Sequence, residues 1–196
     1  MPSGRVRQFD ADEALERAMG VFWRRGYEGA TLDELTAAMG INRPSLYAAF
    51  GNKEQLFRRV LERYRAGPVG FLRDALEEPT AREVAEAILR GAWRAFCDPG
   101  NPGGCLVVQA ALACGAESES VRQELAAGRE RAVAAIRERL RRAAREGDLP
   151  AGASPRVLAR YLATVMHGLA VQAAGGAGAS ELRRVADLAM RAWPTA

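Results

Sequence analysis

Histidine and lysine are nearly missing from this chain of 196 residues, which holds one of each, His167 and Lys53. A lone histidine inside an apolar segment leaves no Ser–His–Asp or Cys–His set with local support, so no catalytic residue is assigned and an enzyme is not expected. His167 itself suits a core or interface position as well as a ligand contact. The cysteines Cys97, Cys105 and Cys114 are odd in number. They have no metal-like spacing, so neither a metal site nor a disulfide framework is expected. Apolar runs of membrane-spanning length are absent, as is an apolar leader before the first helical segment. No membrane partner is expected, and the expected compartment is a reducing cytoplasm. Strand-like alternation is missing too. Gly175-Gly176-Ala177-Gly178 follows a helical pattern, so it reads as a helix break and not as a phosphate cradle, and no cofactor is expected.

What remains is hydrophobic and helical. Hydrophobic residues make up 48% of the chain, enough to exclude a disordered protein. The net charge of +4 and pI near 9.3 are mildly basic. The charge is uneven. Residues 36–65 carry Arg43, Lys53, Arg58, Arg59, Arg63 and Arg65 against Glu54 and Glu62, six against two, which gives +4 in that stretch alone. Such a patch suits phosphate binding; a solvated helix face would show the same count. The single lysine stands against a strong preference for arginine, as though a compact ammonium were wanted there. A second basic run, Arg137 to Arg145, has Glu130, Glu138 and Glu146 at helical spacing and reads as an ion-paired surface.

The periodicity predicts an all-α protein of about nine helices. Asp10, with Glu13 as its partner, opens the first, which buries Leu15, Ala18, Met19 and Phe22. Thr31 with Glu34, and Thr80 with Glu83, have the spacing of capping boxes. Leu32, Leu35 and Met39 form one stripe. Gly40 is placed for a left-handed helix end. Asn42 caps the segment Arg43 to Phe50, with Pro44 in its first turn. That segment buries only Leu46 and Phe50, and turns Arg43, Pro44, Ser45, Tyr47 and Ala49 outward. Asn52 opens a fourth helix, expected to run with a kink through Gly67-Pro68 towards Leu76. Apolar helices are expected from Val84 to Phe96 and from Cys105 to Cys114. A long one should end near Gly147. Ser154-Pro155 and Ser180 are placed to open the last two.

A short, capped helix showing an arginine, hydroxyls and small residues suits the DNA major groove. The strings T-L-D-E-L (31–35), A-M-G-I-N (38–42), S-L-Y-x-x-F (45–50) and G-N-K-E-Q-L-F (51–57) follow in order without gaps. With the preceding helix Asp10 to Arg25 and the link Gly26-Tyr27-Glu28-Gly29, they resemble the N-terminal domain of the TetR family of bacterial transcriptional regulators. The resemblance is specific over the first third of the chain and weaker afterwards.

It implies a three-helix helix-turn-helix DNA-binding domain over 1–51 and a helical ligand-binding and dimerisation bundle over 52–196. It implies a repressor that binds a double-stranded, pseudo-palindromic operator as a homodimer and is released by a small, largely apolar effector. Arg43 and Pro44 would meet base edges; Thr31, Ser45, Tyr47 and Lys53 would hold phosphates. Arg5 and Arg7 are candidates for further backbone contacts. Ala48 and Ala49 are smaller than in many relatives, which reduces base contacts. Trp93, Phe96, Leu106, Val107, Gln109, Met166, His167 and Gln172 sit on helices that line the family's ligand cavity; a fully packed core would show the same residues. The last two helices would form a four-helix bundle with their two-fold mates. The string Gly103-Gly104-Cys105-Leu106 is similar to a subgroup that senses oxidants and electrophiles, which makes Cys105 a redox candidate; a packing role is the alternative. Two further classes stay open: a helical ligand-binding protein or enzyme with a vestigial helix-turn-helix, and a protein-interaction adaptor.

Overall fold

The computed structural model describes residues 9–112 and 118–194, so Arg5, Arg7 and Cys114 lie outside the described residues. All regular elements among the described residues are helices: α1 (Ala11–Gly29), α2 (Leu32–Met39), α3 (Arg43–Phe50), α4 (Lys53–Ala66), α5 (Phe71–Ala75), α6 (Ala81–Phe96), α7 (Leu106–Leu112), α8 (Glu119–Arg145), α9 (Pro155–Ala174) and α10 (Ala179–Arg191).

Local chemistry sets most boundaries. The Thr31/Glu34 and Thr80/Glu83 capping boxes form, and Asn52 makes a third with Gln55. Asp10 accepts from the Asp12 and Glu13 amides, but the Glu13 carboxylate turns away to Arg17, 2.6 Å off, so no reciprocal box forms there. Gly40 takes φ +69°, and the Ile41 amide reaches back to the Thr36 carbonyl at 3.1 Å, closing α2 in a Schellman turn. Inside α1, Gly26 at φ 70° and ψ −178° breaks the helical path at the expected link.

Two boundaries differ from the sequence expectation. The fourth segment is two helices, which raises the count among the described residues to ten. Gly67 leaves the helical region (φ −101°, ψ −96°) and Pro68 has no amide to continue the ladder. The final helix is preceded by Gly178, and Ser180 falls inside its first turn without a capping bond. The cause is the turn before it. Gly176 (φ 93°) and the Ala177 amide, bonded to the Gln172 carbonyl at 3.0 Å, end α9 so tightly that helical geometry resumes at Ala179.

The core runs continuously from the N-terminal head into the bundle. Phe22 and Phe57 meet edge-on at 4.9 Å, and Tyr27 lies 5.1 Å from Phe57, tying the start of α4 to α1. Phe22 and Phe57 are fully buried, and each contributes about 1.5–3 kcal/mol. Behind the head, α6 packs on α9 and α10, α8 on α9, and α7 on α1. In the run from Arg137 to Arg145, Leu140 and Ala143 are buried in the core and most of the charged side chains are solvated. Arg139 is buried and donates to the carbonyls of Leu76, Glu78 and Pro79 at 3.1, 2.6 and 2.8 Å, clamping the chain between α5 and α6 onto α8.

Candidate DNA-binding surface and the cavity behind it

A tight turn flanks α3 at each end. On one side the Asn42 side chain accepts from the Ser45 amide at 2.9 Å. On the other, Gly51 takes φ 75°, where a Cβ would collide with the Gln55 side chain that completes the Asn52 cap. Leu46 and Phe50 are buried, leaving Arg43, Pro44, Tyr47 and Ala48 exposed, with Tyr47 48% accessible. Ser45 and Ala49 are half-buried. Thr31 is exposed, but its hydroxyl is engaged in its own cap. It accepts from the Glu34 amide at 3.1 Å and lies 3.2 Å from the Glu34 carboxylate. The Thr31 amide, with that hydroxyl, holds the Glu34 carboxyl below its usual range. Lys53 opens α4, with its ammonium 4.7 Å from the Tyr27 ring centre and 3.4 Å from the Glu28 carbonyl.

The basic stretch is less available than its count implies. Arg43 donates to Asp33 at 2.7 Å. Arg58 is shared by Glu54 (2.7 Å) and Glu124 (3.0 Å). Arg63 is held by Glu16 (2.6 Å) and Asp12 (3.4 Å). Arg59 donates to the Ala49 carbonyl at 3.1 Å, and Arg65 turns towards the interior. Four of these carboxylates, on Asp12, Glu16, Asp33 and Glu124, lie outside the stretch that was counted. These pairs are exposed and individually weak, so a phosphate can displace them at a cost under about 1 kcal/mol each.

Behind the head lies a cavity of about 350 Å³. Its walls come from Tyr64 and Arg65 of α4, the α5 segment, Phe96 of α6, Cys105, the start of α7, the middle of α8, and Met166 and His167 of α9. Of the ligand residues expected from sequence, Phe96, Val107, Met166 and His167 meet there, together with Cys105. The others do not. Trp93 lies in a separate surface groove between α6 and α10, beside Leu89 and Met190. Leu106 is fully buried. Gln109 is half-buried and off the wall, and its side-chain oxygen has no partner. Gln172, five positions past His167, falls on the far side of α9 and is exposed.

Burial controls the titratable groups of this wall. It pushes the Cys105 thiol up, away from the thiolate. It likewise raises Tyr64 well above the phenol range, its hydroxyl beside the Cys105 thiol and the Leu106 amide without a well-formed hydrogen bond. His167 is pushed down by burial first and then by the positive charges of Arg129 and Arg160.

Sequence reasoning missed the link between the two regions. Trp23 of α1 is 1% exposed and stands edge-on to Tyr64, with ring centres 4.9 Å apart. Its indole N–H donates to the Gly103 carbonyl at 3.1 Å. Two residues on, Cys105 is in the cavity wall. Gly104 (φ +66°) presses against α9, where a Cβ would sit 2.7 Å from the Ala170 carbonyl. One aromatic side chain of the head therefore touches the cavity wall and the loop that leads into it.

A capped helix-turn-helix on a helical bundle with an internal cavity defines a DNA-binding transcriptional regulator. Residues 14–60 match bacterial regulatory proteins of the tetR family, and residues 86–189 match the tetracyclin repressor-like C-terminal domain. The chain belongs to the TetR family. It is 30% identical to the HTH-type transcriptional repressor ComR of Escherichia coli (strain K12), over 97% of this chain and 92% of that one. The HTH-type transcriptional repressor AcnR of Corynebacterium glutamicum is 30% identical over 90% of this chain and 88% of its own. A cysteine mutant of the TetR family transcriptional regulator CifR, complexed with 26bp double-strand operator DNA, superposes with a TM-score of 0.92. Its identity is 49%, and the match covers 97% of this chain and 100% of that one.

Proposed function

We propose that this chain is a cytoplasmic, non-enzymatic repressor that binds a pseudo-palindromic double-stranded operator as a homodimer and releases it when a small, largely apolar effector enters the cavity. The observation that carries the DNA-binding part is α3, held between two capped turns with Arg43, Pro44 and Tyr47 facing outward. The operator-bound relative at 49% identity supports it. Arg43 reads a base edge after leaving Asp33, and Pro44 packs beside it. Thr31, Ser45, Tyr47 and Lys53 hold the backbone and set the register. The division of labour at about residue 51 belongs to the same reading. The homodimer is supported by Val157 and Val171 on α9 and by Val185 and Leu188 on α10, all exposed. A two-fold pair would set its recognition helices roughly 34–36 Å apart.

Release needs a path from the cavity to α3. Tyr64, on the cavity wall, belongs to the helix whose first turn carries Lys53 and whose Phe57 packs on α1. An effector that displaces Tyr64 therefore moves α4 and, through Trp23, α1. The test is binding of labelled DNA from the protein's own promoter region. Lys53→Ala should weaken binding to every sequence and flatten its salt dependence, whereas binding that ignores salt would end the proposal.

Cys105 favours a second reading, in which the signal is an electrophile or oxidant that modifies this thiol inside the cavity. Its burial and raised pKa make it slow to react at rest. Comparing Cys105→Ser with the unchanged protein decides the matter. Release of both by the same mild electrophile, or of neither, makes Cys105 a packing residue.

A further inference from the structure

Among the described residues, the cavity wall carries four arginines, Arg65, Arg73, Arg129 and Arg131, and no aspartate or glutamate. Arg73 pairs with Asp74 at 3.2 Å. Among the described residues, Arg65, Arg129 and Arg131 have no ion pair. Arg131 is exposed; Arg65 and Arg129 are half-buried. One guanidinium nitrogen of each is shut off from solvent without a hydrogen-bond acceptor, and the Tyr64 hydroxyl is in the same condition. A buried donor without a partner is costly, and a charged one more so. Here there are two such cations on one wall.

Their neighbourhood is shaped to hold them. Gly128 interrupts the middle of the 27-residue α8, where glycine weakens a helix. A Cβ there would sit 3.0 Å from Arg65 Nη2, so the glycine makes room for that guanidinium against α8. Arg129 is the next residue. It lines the same cavity as Cys105 and His167. The rest of the lining is largely apolar, including Phe71, Leu72 and Phe96.

We infer that the cavity takes a small amphipathic oxyanion, a single carboxylate or phosphate group on an apolar body, with its oxygens received by Arg65 and Arg129. This rests on the cavity being the effector site and narrows the effector to one chemical class. The oxyanion accepts the N–H groups that now lack acceptors, and the apolar body fills the space beneath Phe71 and Phe96. Arg65 lies one residue after Tyr64 near the end of α4, so the ligand's charge pulls on the helix that carries the DNA-binding head.

The test is calorimetric titration of the full-length protein with octanoate, octyl phosphate, octanamide and octanol. At least one oxyanion should bind about tenfold or more tighter than both neutral probes, and the better of the two names the headgroup. The preference should shrink to near parity in Arg129→Gln and persist in Arg129→Lys. Gly128→Ala is the second variant. It favours the helix, and so preserves the fold, while pushing the Arg65 guanidinium aside; the preference should fall there too. Neutral probes that bind as well as the oxyanions overturn the inference and leave the apolar-effector reading standing. A preference unchanged in both Arg129→Gln and Gly128→Ala also overturns it, because the anion then sits elsewhere. If none of the four probes binds, the effector reading of the cavity falls and the inference with it.

Discussion

Arg43 is proposed to read DNA, yet in the unbound protein it is tied to Asp33 at 2.7 Å. Substituting either partner separates its two roles. Arg43→Ala should cost about 1–3 kcal/mol at one base pair of each half-site and little elsewhere, measured by anisotropy against a panel of single-base operator variants. Asp33→Asn removes the competing acceptor and a nearby negative charge, so affinity should rise for operator and random DNA alike. An unchanged affinity would mean that Asp33 does not restrain Arg43. His167 gives a pH signature. Its folded pKa lies below the ordinary value of about 6.5, because burial and nearby arginines oppose the charged ring. The unfolded chain therefore takes up a proton first as the pH falls. Stability is full above that ordinary value and is lost below it, down towards the folded pKa. As His167 is the sole histidine, His167→Gln should flatten the stability profile between about pH 7 and 5 in urea titrations.

At the scale of the element, the helix-turn-helix was legible because its signals are local. Thr31 and Glu34, Gly40, Asn42 and Pro44 each act within four residues of themselves, so spacing alone announces them. The extra break at Gly67 was visible as a Gly-Pro pair, but its outcome, two helices or one bent helix, depends on what packs behind it. Arg65, Arg129 and Trp23 were not legible as site residues. Their significance arises only when α1, α4, α8 and the Gly103 loop meet, and nothing in the local pattern of any one helix encodes that meeting. Gly128 was the available clue, a glycine set in the middle of a long helix, where close approach is the usual reason. The ion pairs that quench residues 36–65 stayed hidden for the same reason: Glu16 and Glu124 lie 47 and 66 positions from their arginines. Trp23 makes the proposed coupling testable. Trp23→Phe keeps much of the ring contact with Tyr64 and deletes the bond to Gly103. Operator affinity without effector should stay within about threefold, while the effector's power to release DNA drops; a variant that responds in full would remove Trp23 from the path.

At the scale of the molecule, the proposed homodimer rests on the exposed apolar side chains of α9 and α10. Leu188→Glu with Val185→Glu places two charges on the face proposed to meet its mate. It should give a monomer by light scattering at micromolar concentration and abolish tight operator binding, because one head makes only half the contacts. A variant that remains dimeric would place the two-fold axis elsewhere. No described helix is long and apolar enough to cross a membrane.

The pairing of Arg43, Arg58 and Arg63 with the protein's own carboxylates bears on how quickly a regulator finds its address. Random genomic DNA competes for every copy through phosphate contacts alone, and each neutralised phosphate steepens the salt dependence by about 0.9 in log–log slope. Each of these pairs adds a cost of under about 1 kcal/mol to a phosphate contact, so the proposed head would grip a random stretch less tightly than its count of arginines implies. Where α3 also fits the bases, the added contacts would offset that cost and the complex would last longer. Scarce copies of the protein are then spent on the operator and not on the bulk of the chromosome.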